Sequence, residues 1–574
     1  MHVRRINIYG LKTHLEDGDT ILVPNLRTKD AILFQYLNDS AEPIKPTPKI
    51  FPIDIFIQKL WELNSRTGNS HCSRSRIISS EEEIVLWETI IEKSLESIPL
   101  LNISETSKAV SHSYHLAKQW LLDELEQENS SYNFTKKDAI VFSHWKQRFQ
   151  ERCDKKGIIT LVDAIISLIN LINSGEIKHL PKRTILVNFH ETPPLYQKLF
   201  DVLPRSIYIT TGNASSSIRE KTQTLVEAKD INQEVALCAN WANRICNKFP
   251  HAHIGILSPD KNLYKEKFER ALLHETRAEN LYNDLSTSPL VNSANSGLTL
   301  YEAGFIYDAF LIIRLCKSEY SINDLVRLLQ SPFITFEENG TVSYQQERMA
   351  LCSSLRKLST STISEREFMS FLDSEKTNFS SEIFPLRLIQ FRVKLRNMRE
   401  KNSVIEWAEL FEGLLPHFGW PNKSSNNNLP ISLLRQWDEL LHKYRFCADI
   451  LTKLDFESAL RILEKLANTI QQKSSFNGLL PISFFSINEA VSLDYDYVWL
   501  LGMHDSNFPN PANPSPFIRY SLQESLKIPL SSGETELQTA RTQLEKIIVS
   551  TNEELISSHH RSDEKQHYEP SRLL

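Results

Sequence analysis

Closely spaced glycines are scarce in this 574-residue sequence, and their scarcity excludes a common kind of ligand site. Of its 15 glycines, the nearest two are Gly413 and Gly419, and no glycine is followed by lysine. A phosphate-binding loop needs neighbouring glycines, because its backbone N–H groups must approach the phosphates, and a lysine that meets their charge. Neither G-x-G-x-x-G nor G-x-x-x-x-G-K-[ST] occurs, so the sequence predicts no nucleotide cofactor and no ATP hydrolysis.

Paired cysteines are missing too. The seven cysteines are scattered along the chain, and no two have C-x-x-C spacing. The closest, Cys238 and Cys246, fall on one predicted amphipathic helix. We therefore expect buried, reduced thiols rather than zinc or iron–sulfur ligands.

Long apolar runs and an excess of positive charge are also absent. Apolar stretches such as residues 158–172 are interrupted by polar side chains and stop short of the roughly 20 residues that a membrane-spanning helix needs. The charged amino terminus has no apolar stretch behind it, which predicts no signal peptide and a cytoplasmic protein without membrane contact. A formal net charge of −6 excludes a globally basic protein, so any DNA contact must come from local patches.

Two histidine pairs have spacings that could serve a metal ion. They are His112 with His115, and His559 with His560. Neither pair has a cysteine or carboxylate partner evident in the sequence, and such partners are what a metal site would require. The sequence therefore predicts surface histidines and no metal.

Short apolar runs alternate with longer runs of helical periodicity. Because strand–helix–strand order favours parallel pairing, the pattern predicts α/β sheets separated by helical regions. Residues 64–80, rich in polar side chains, predict an exposed loop. The predicted strands lie at residues 20–25, 184–187, 206–210, 224–226, 253–257, 481–485 and 497–501.

A chain of this length exceeds a single hydrophobic core, and three to five subdomains are expected. The pattern divides it into a first α/β lobe over residues 1–215, with an inserted helical subdomain at about 53–175. A second α/β lobe starts at residues 216–295 and resumes at 476–574, around a helical insert at 296–475.

The most specific segment is SINEAVSLDYDYVWLLGMHDSNFP, residues 486–509. It resembles the part of UvrD/Rep-type superfamily I helicases in which a strand ends in Leu-Gly and an acidic loop ends in Phe-Pro. It is more similar still to the AddB/RexB-like inactivated helicases, probable DNA repair proteins. Residues 418–421, 513–518 and 536–541 also fit that family. The resemblance implies a helix-rich α/β fold of two RecA-like (P-loop NTPase-type) parallel-sheet lobes, each carrying a mainly helical insert.

The departures from an active helicase fall on its nucleotide site. There the second strand ends in Asp-Glu, which hold the magnesium shell and the attacking water. Here Asn188 and Phe189 stand in those places, and neither side chain can do either task. Glu191 lies past the strand end, and Asn213 stands where an Asp would be expected after the third strand. The resemblance therefore implies a degenerate site with no catalytic residue.

Two further positions complete this comparison. Residues 24–29 (PNLRTK) replace the phosphate loop, and Arg541 matches the late arginine only approximately. Because there is no phosphate loop beside it, we do not assign Arg541 as an arginine finger.

The family usually carries a PD-(D/E)xK nuclease domain after this body. The sequence stops at residues 569–574, which resemble the point just before that domain. Asp563 and Lys565 fit D-x-K, but so do Asp154 and Lys156, and too little chain follows Lys565 to build a nuclease. We expect no nuclease activity in this polypeptide.

A basic helix is predicted over residues 386–401. Arg392, Arg396 and Arg399 form one stripe, beside an apolar stripe at helical spacing. One interpretation is contact with DNA phosphates, and the other is a solvated face over an ordinary core.

Three functional hypotheses follow. The first is a non-catalytic helicase-like protein that binds single-stranded DNA, unwinding duplex, or a partner helicase or nuclease subunit. The second is a truncated exonuclease whose catalytic domain lies beyond residue 574. The third is a protein-interaction scaffold with no DNA role, with which the acidic net charge is compatible.

Overall fold

The architecture comes from a computed structural model. It describes residues 3–6, 18–38, 47–66, 70–94, 102–122, 137–189, 192–211, 222–250, 252–279, 291–292, 295–334, 343–374, 400–421, 431–473, 482–490, 494–563 and 566–574. The chain divides into two compact units. One comprises residues 1–293 with 477–574, and the other comprises residues 294–476.

A parallel five-stranded sheet organises the first 211 residues. Every neighbouring pair of its strands is parallel. In sheet order the strands are β1 (Val3–Ile6), β7 (Ile207–Thr211), β6 (Thr184–Val187), β2 (Thr20–Val23) and β3 (Lys49–Pro52). Residues 20–23 (TILV) and 184–187 (TILV) are wholly buried because both strands lie inside the sheet with both faces covered. The region also contains the short strands β4 (Arg76–Ile77) and β5 (Ile158–Ile159).

Helices fill the space between β3 and β6. An aromatic stack joins two of them, since the Trp87 and Phe149 rings lie 3.9 Å apart and nearly parallel. The helices up to residue 202 are α1 (Leu26–Asn38), α2 (Ile53–Arg66), α3 (Ser70–Arg74), α4 (Ser80–Glu92), α5 (Ile103–Gln119), α6 (Lys137–Lys156), α7 (Leu161–Asn173) and α8 (Pro194–Val202).

A second α/β portion begins after these elements. It contains the strands β8 (Thr222–Ala228), β9 (Ile254–Ser258) and β10 (Val291–Asn292), with the helices α9 (Ile231–Lys248) and α10 (Lys261–Glu279). Cys238 and Cys246 lie buried in α9, as the helical periodicity predicts. Neither Cys238 nor Cys246 forms a disulfide in this structure.

The unit formed by residues 294–476 is mainly helical and has its own apolar core. Its strands are β11 (Asn295–Thr299), β12 (Glu319–Ser321), β13 (Thr362–Ser364) and β14 (Gln471–Lys473), paired in two short antiparallel ladders. Its helices are α11 (Gly304–Arg314), α12 (Ile322–Gln330), α13 (Ser343–Arg356), α14 (Glu365–Ser374), α15 (Val404–Leu414), α16 (Ile431–Phe446) and α17 (Phe456–Thr469).

The last segment completes a six-stranded parallel sheet. It adds β15 (Ile482–Ser486), β16 (Tyr495–Leu500) and β17 (Thr551–His560), with α18 (Ile487–Ala490), α19 (Tyr520–Ser525) and α20 (Gly533–Ser550). The strand order is β10-β15-β9-β16-β17-β8, again parallel throughout. Chain segments more than 200 residues apart in sequence thus share one sheet.

The expected helix-rich α/β fold with parallel sheets is confirmed. The expected loop at residues 64–80 is wrong, because α2 reaches Arg66 and the same stretch contains α3 and β4. Cys72 and Ile78 are buried there, so this polar stretch is not an exposed loop throughout. Within the described residues, no helix is both long and apolar enough to cross a membrane.

Candidate functional site

The turn between β2 and α1 occupies the position at which parallel α/β sheets commonly bind ligands, beyond the carboxyl end of a strand. It contains just Pro24 and Asn25. The Asn25 side-chain oxygen accepts hydrogen bonds from the Thr28 backbone N–H at 2.9 Å and from the Thr28 hydroxyl at 3.0 Å. This is the geometry of an asparagine helix cap. The first N–H groups of α1, which would otherwise face a phosphate, are thus partly satisfied by the protein's own side chain.

The end of β6 is followed by Asn188 and Phe189, the two residues that the sequence resemblance aligns with an acidic pair. Asn188 is buried with φ +59°, a left-handed conformation that asparagine tolerates. Its backbone N–H donates to the Ile209 carbonyl at 3.0 Å, so the neighbouring strand holds it. The Phe189 ring meets the edge of Phe200 in α8 with centroids 4.9 Å apart. Neither side chain offers a carboxylate at this strand end.

Several residues singled out by the sequence lie outside the described part of the chain. They are Glu191, Asn213, Arg392, Arg396 and Arg399. Arg541 is described, and it lies exposed on α20. The structure therefore places Asn188 and Phe189 at one strand end, and the proposed arginine stripe stays a prediction.

A buried polar cluster lies at the carboxyl ends of β16 and β17 in the second sheet. Its centre is the fully buried carboxylate of Glu234. One carboxylate oxygen accepts from the Gly502 backbone N–H at 2.8 Å and from the Ser558 hydroxyl at 2.7 Å. The other lies 2.9 Å from His560 Nδ1 and accepts from the Tyr264 hydroxyl at 3.3 Å. Four partners compensate the charge for its loss of hydration.

Local sequence explains how this cluster is assembled. Asp230 caps α9, and Glu234 follows in its first turns, directed toward the strand ends. Gly502 closes the Leu-Gly turn after β16 with φ +72°. A Cβ atom at Gly502 would lie 2.7 Å from the Tyr264 hydroxyl oxygen, so only glycine fits. Glycine in the Leu-Gly motif thus allows Tyr264 to pack against the turn after β16 and leaves the Gly502 N–H to donate to Glu234.

Electrostatics in this cluster favour a neutral phenol. Burial raises the pKa of Tyr264, and the adjacent Glu234 carboxylate raises it further. The Tyr264 hydroxyl therefore keeps its proton and acts as a donor. The cluster is a fully paired structural network, and its residues could be found in the sequence only through the Leu-Gly turn.

The prediction of surface histidines is wrong for His559 and His560, which are almost fully buried in β17. It is also wrong for His115, which is largely covered and lies 2.7 Å from the buried Glu83 carboxylate. Burial lowers the pKa of His115, but the hydrogen bond to Glu83 and nearby carboxylates outweigh it and raise the pKa overall. His112 is exposed, as expected. The errors arise because each buried histidine meets a carboxylate from a distant part of the chain.

Among the described residues, no group of three or more histidine, cysteine or acidic side chains is placed to hold a metal ion. No protein-family model matches this sequence, and no curated protein is significantly similar to it. The resemblance to inactivated helicases therefore rests on the sequence motifs, chiefly residues 486–509.

Proposed function

We propose that this chain is a non-catalytic, helicase-like protein of DNA repair or recombination. It would bind single-stranded or unwinding DNA, or a partner helicase–nuclease subunit, without hydrolysing ATP. The proposal that the chain does not hydrolyse ATP rests on the two-residue turn formed by Pro24 and Asn25, in which the Asn25 side chain caps α1. The DNA-binding part rests on the sequence resemblance.

The geometry of the turn opposes triphosphate binding. A phosphate loop of about eight residues wraps its backbone N–H groups around the phosphates. The turn here has two residues, and proline supplies no N–H. A phosphate at this helix end would also have to displace the Asn25 oxygen from Thr28. These contacts support a helix start at which Asn25 of the chain itself, rather than a phosphate, accepts the Thr28 N–H hydrogen bond.

The residues at the end of β6 likewise oppose magnesium binding and the orientation of an attacking water. A nucleotide-bound Mg²⁺ needs oxygen ligands, and the attacking water needs a group that orients it. At the end of β6 an amide and a phenyl ring occupy those two places, and the Phe189 ring packs against Phe200. We therefore assign ATP consumption, where the assembly needs it, to a partner subunit.

Binding of single-stranded DNA tests the positive half of the proposal. We expect the full chain to bind a fluorescein-labelled oligo(dT). The logarithm of the association constant should fall linearly with the logarithm of the salt concentration. Changing Arg392, Arg396 and Arg399 together to alanine is expected to reduce the salt slope by about 2, because each lost phosphate contact on a single strand contributes about 0.7. Fluorescence anisotropy across a salt series measures both quantities.

A matched control removes three other exposed cations. Arg148, Lys155 and Lys156 lie exposed on α6, and replacing them with alanine changes the net charge by the same amount. This variant should keep the wild-type salt slope. An equal loss in both variants would show that the arginine stripe is not the contact surface. Absence of salt-dependent binding by the wild-type chain would favour a scaffold without a DNA role.

A further inference from the structure

Residues 561–563 and 566–574, here called the strap, fold back over the carboxyl ends of β16 and β17. The Asp505 backbone N–H, in the loop that follows β16, donates to the Glu569 carbonyl of the strap at 2.9 Å. The Ser571 backbone N–H donates in return to the Met503 carbonyl at 2.9 Å. The described part of the strap is therefore hydrogen-bonded to this loop.

Three rings pack together beneath the strap. The centroid of the His504 ring lies 4.2 Å from that of Tyr568 on the strap and 5.1 Å from that of His560. His504 is 6% exposed, and its Nδ1 has no hydrogen-bond partner among the described residues. A buried imidazole with an unpaired nitrogen is costly, and His504 shares this cost with the nearby His559, whose two ring nitrogens also lack hydrogen-bond partners among the described residues.

The charges around His504 do not compensate a proton on it. Burial lowers its pKa, and His560 and His559 lower it further, while Glu234 and Asp505 act in the opposite direction. Among the described residues, the titratable and charged groups that face this ring cluster come from five parts of the fold. They are Glu234 from α9, Tyr264 from α10, His559 and His560 from β17, Tyr568 and its hydrogen-bond acceptor Asp563 from the strap, and Asp505 from the loop after β16. Glu234 is already occupied by four donors.

We propose that the strap is a proton-operated closure, held shut over the strand ends by neutral His504 and released when His504 is protonated. In the closed form an imidazolium would be buried against the His560 ring and the Tyr568 phenol ring. Opening returns the ring to water, where the charge is solvated. Release exposes the carboxyl ends of β16 and β17, the edge at which parallel sheets bind ligands.

The direction of the pH dependence follows from proton linkage. His504 binds a proton more weakly in the closed form than in water, where its pKa is about 6.5. Below that pH the open form takes up the proton first, so acidification favours opening. An equilibrium coupled to one proton shifts by up to about tenfold per pH unit.

Hydrogen exchange of the full chain at pH 7.5 and pH 5.5 tests the closure. We expect the protection factors of the Asp505 and Ser571 amides, corrected for intrinsic exchange, to fall by up to about tenfold per pH unit below 6.5. His504→Phe keeps a ring beside Tyr568 but cannot titrate, and its protection should not change with pH. His567→Gln removes an exposed histidine of the strap itself and should behave as wild type.

Two results would overturn the proposal. One is wild-type protection at these amides that is the same at both pH values. The other is an unchanged pH dependence in His504→Phe. Should that variant fail to fold, an NMR titration of selectively labelled histidine in the wild-type chain decides. A His504 pKa below 6.5 supports the closure, and a value at or above 6.5 contradicts it.

Discussion

Gly502→Ala is expected to lower the free energy of unfolding by about 3 kcal/mol, from left-handed strain and overpacking together. The new Cβ would lie 2.7 Å from the Tyr264 hydroxyl oxygen and 2.8 Å from its ring carbons. Tyr264 cannot withdraw freely, because it is fully buried and hydrogen-bonded to Glu234. Urea unfolding followed by circular dichroism measures the change.

Gly175 provides the matched control. Its φ of +76° is close to that of Gly502, yet nothing lies within 4 Å of a Cβ placed there. Gly175→Ala therefore carries only the backbone strain and should cost about 1 kcal/mol. Equal losses in the two variants would show that the close approach to Tyr264 does not constrain the Leu-Gly turn.

Glu234→Ala is expected to destabilise the chain by about 4 kcal/mol, in the range for breaking a buried, compensated charge network. It removes the acceptor shared by Gly502, Ser558, His560 and Tyr264. The Gly502 N–H would lose its buried acceptor, whereas Ser558 could still donate to the Leu500 carbonyl and Tyr264 would still lie beside His560 Nδ1. The missing side chain would also leave a cavity. The same urea titration measures the loss.

The comparison variant is Glu227→Ala on the edge strand β8. Glu227 accepts two hydrogen bonds from Arg561, the residue that follows β17. Unlike Glu234, Glu227 is exposed to solvent. An exposed pair of this kind contributes little, so the loss should be far smaller than for Glu234. Similar losses would contradict the central role given to the buried carboxylate.

Most of the strands that could be predicted from sequence have apolar runs and lie inside a sheet, and the edge strand β8 is the exception. β2, β6, β9 and β16 fall in this class, since both of their faces are covered. The edge strands β1 and β3 were not predicted, because four residues with charged or proline members carry no such signal.

β17 shows why an interior strand can also be missed. Its last six residues, LISSHH, are all buried, yet four of them are polar. Their polarity is balanced by partners elsewhere, since Ser558 and His560 both contact Glu234 more than 300 residues away in sequence. Short-range hydrophobicity cannot reveal a strand whose burial depends on such a pairing.

In the candidate site too, features that depend on local sequence could be predicted, and features that depend on contacts between separate elements could not. The missing phosphate loop could be predicted because it depends on local glycine and lysine spacing. The Asn25 cap, the buried histidines and the Glu234 network could not, because they depend on how residues meet in the fold. The sequence thus predicts that a phosphate loop is missing, and the structure shows the Asn25 cap at the start of α1.

Calorimetric titration of the full chain with Mg-ATP tests the central claim most directly, with Asn188→Asp/Phe189→Glu run beside the wild type. The account predicts no saturable heat from either protein up to about 1 mM nucleotide, which corresponds to binding weaker than about 4 kcal/mol. The double variant should also fail to bind Mg-ATP, because the two introduced carboxylates still have no phosphate loop beside them. One-to-one binding with a micromolar Kd would contradict the account.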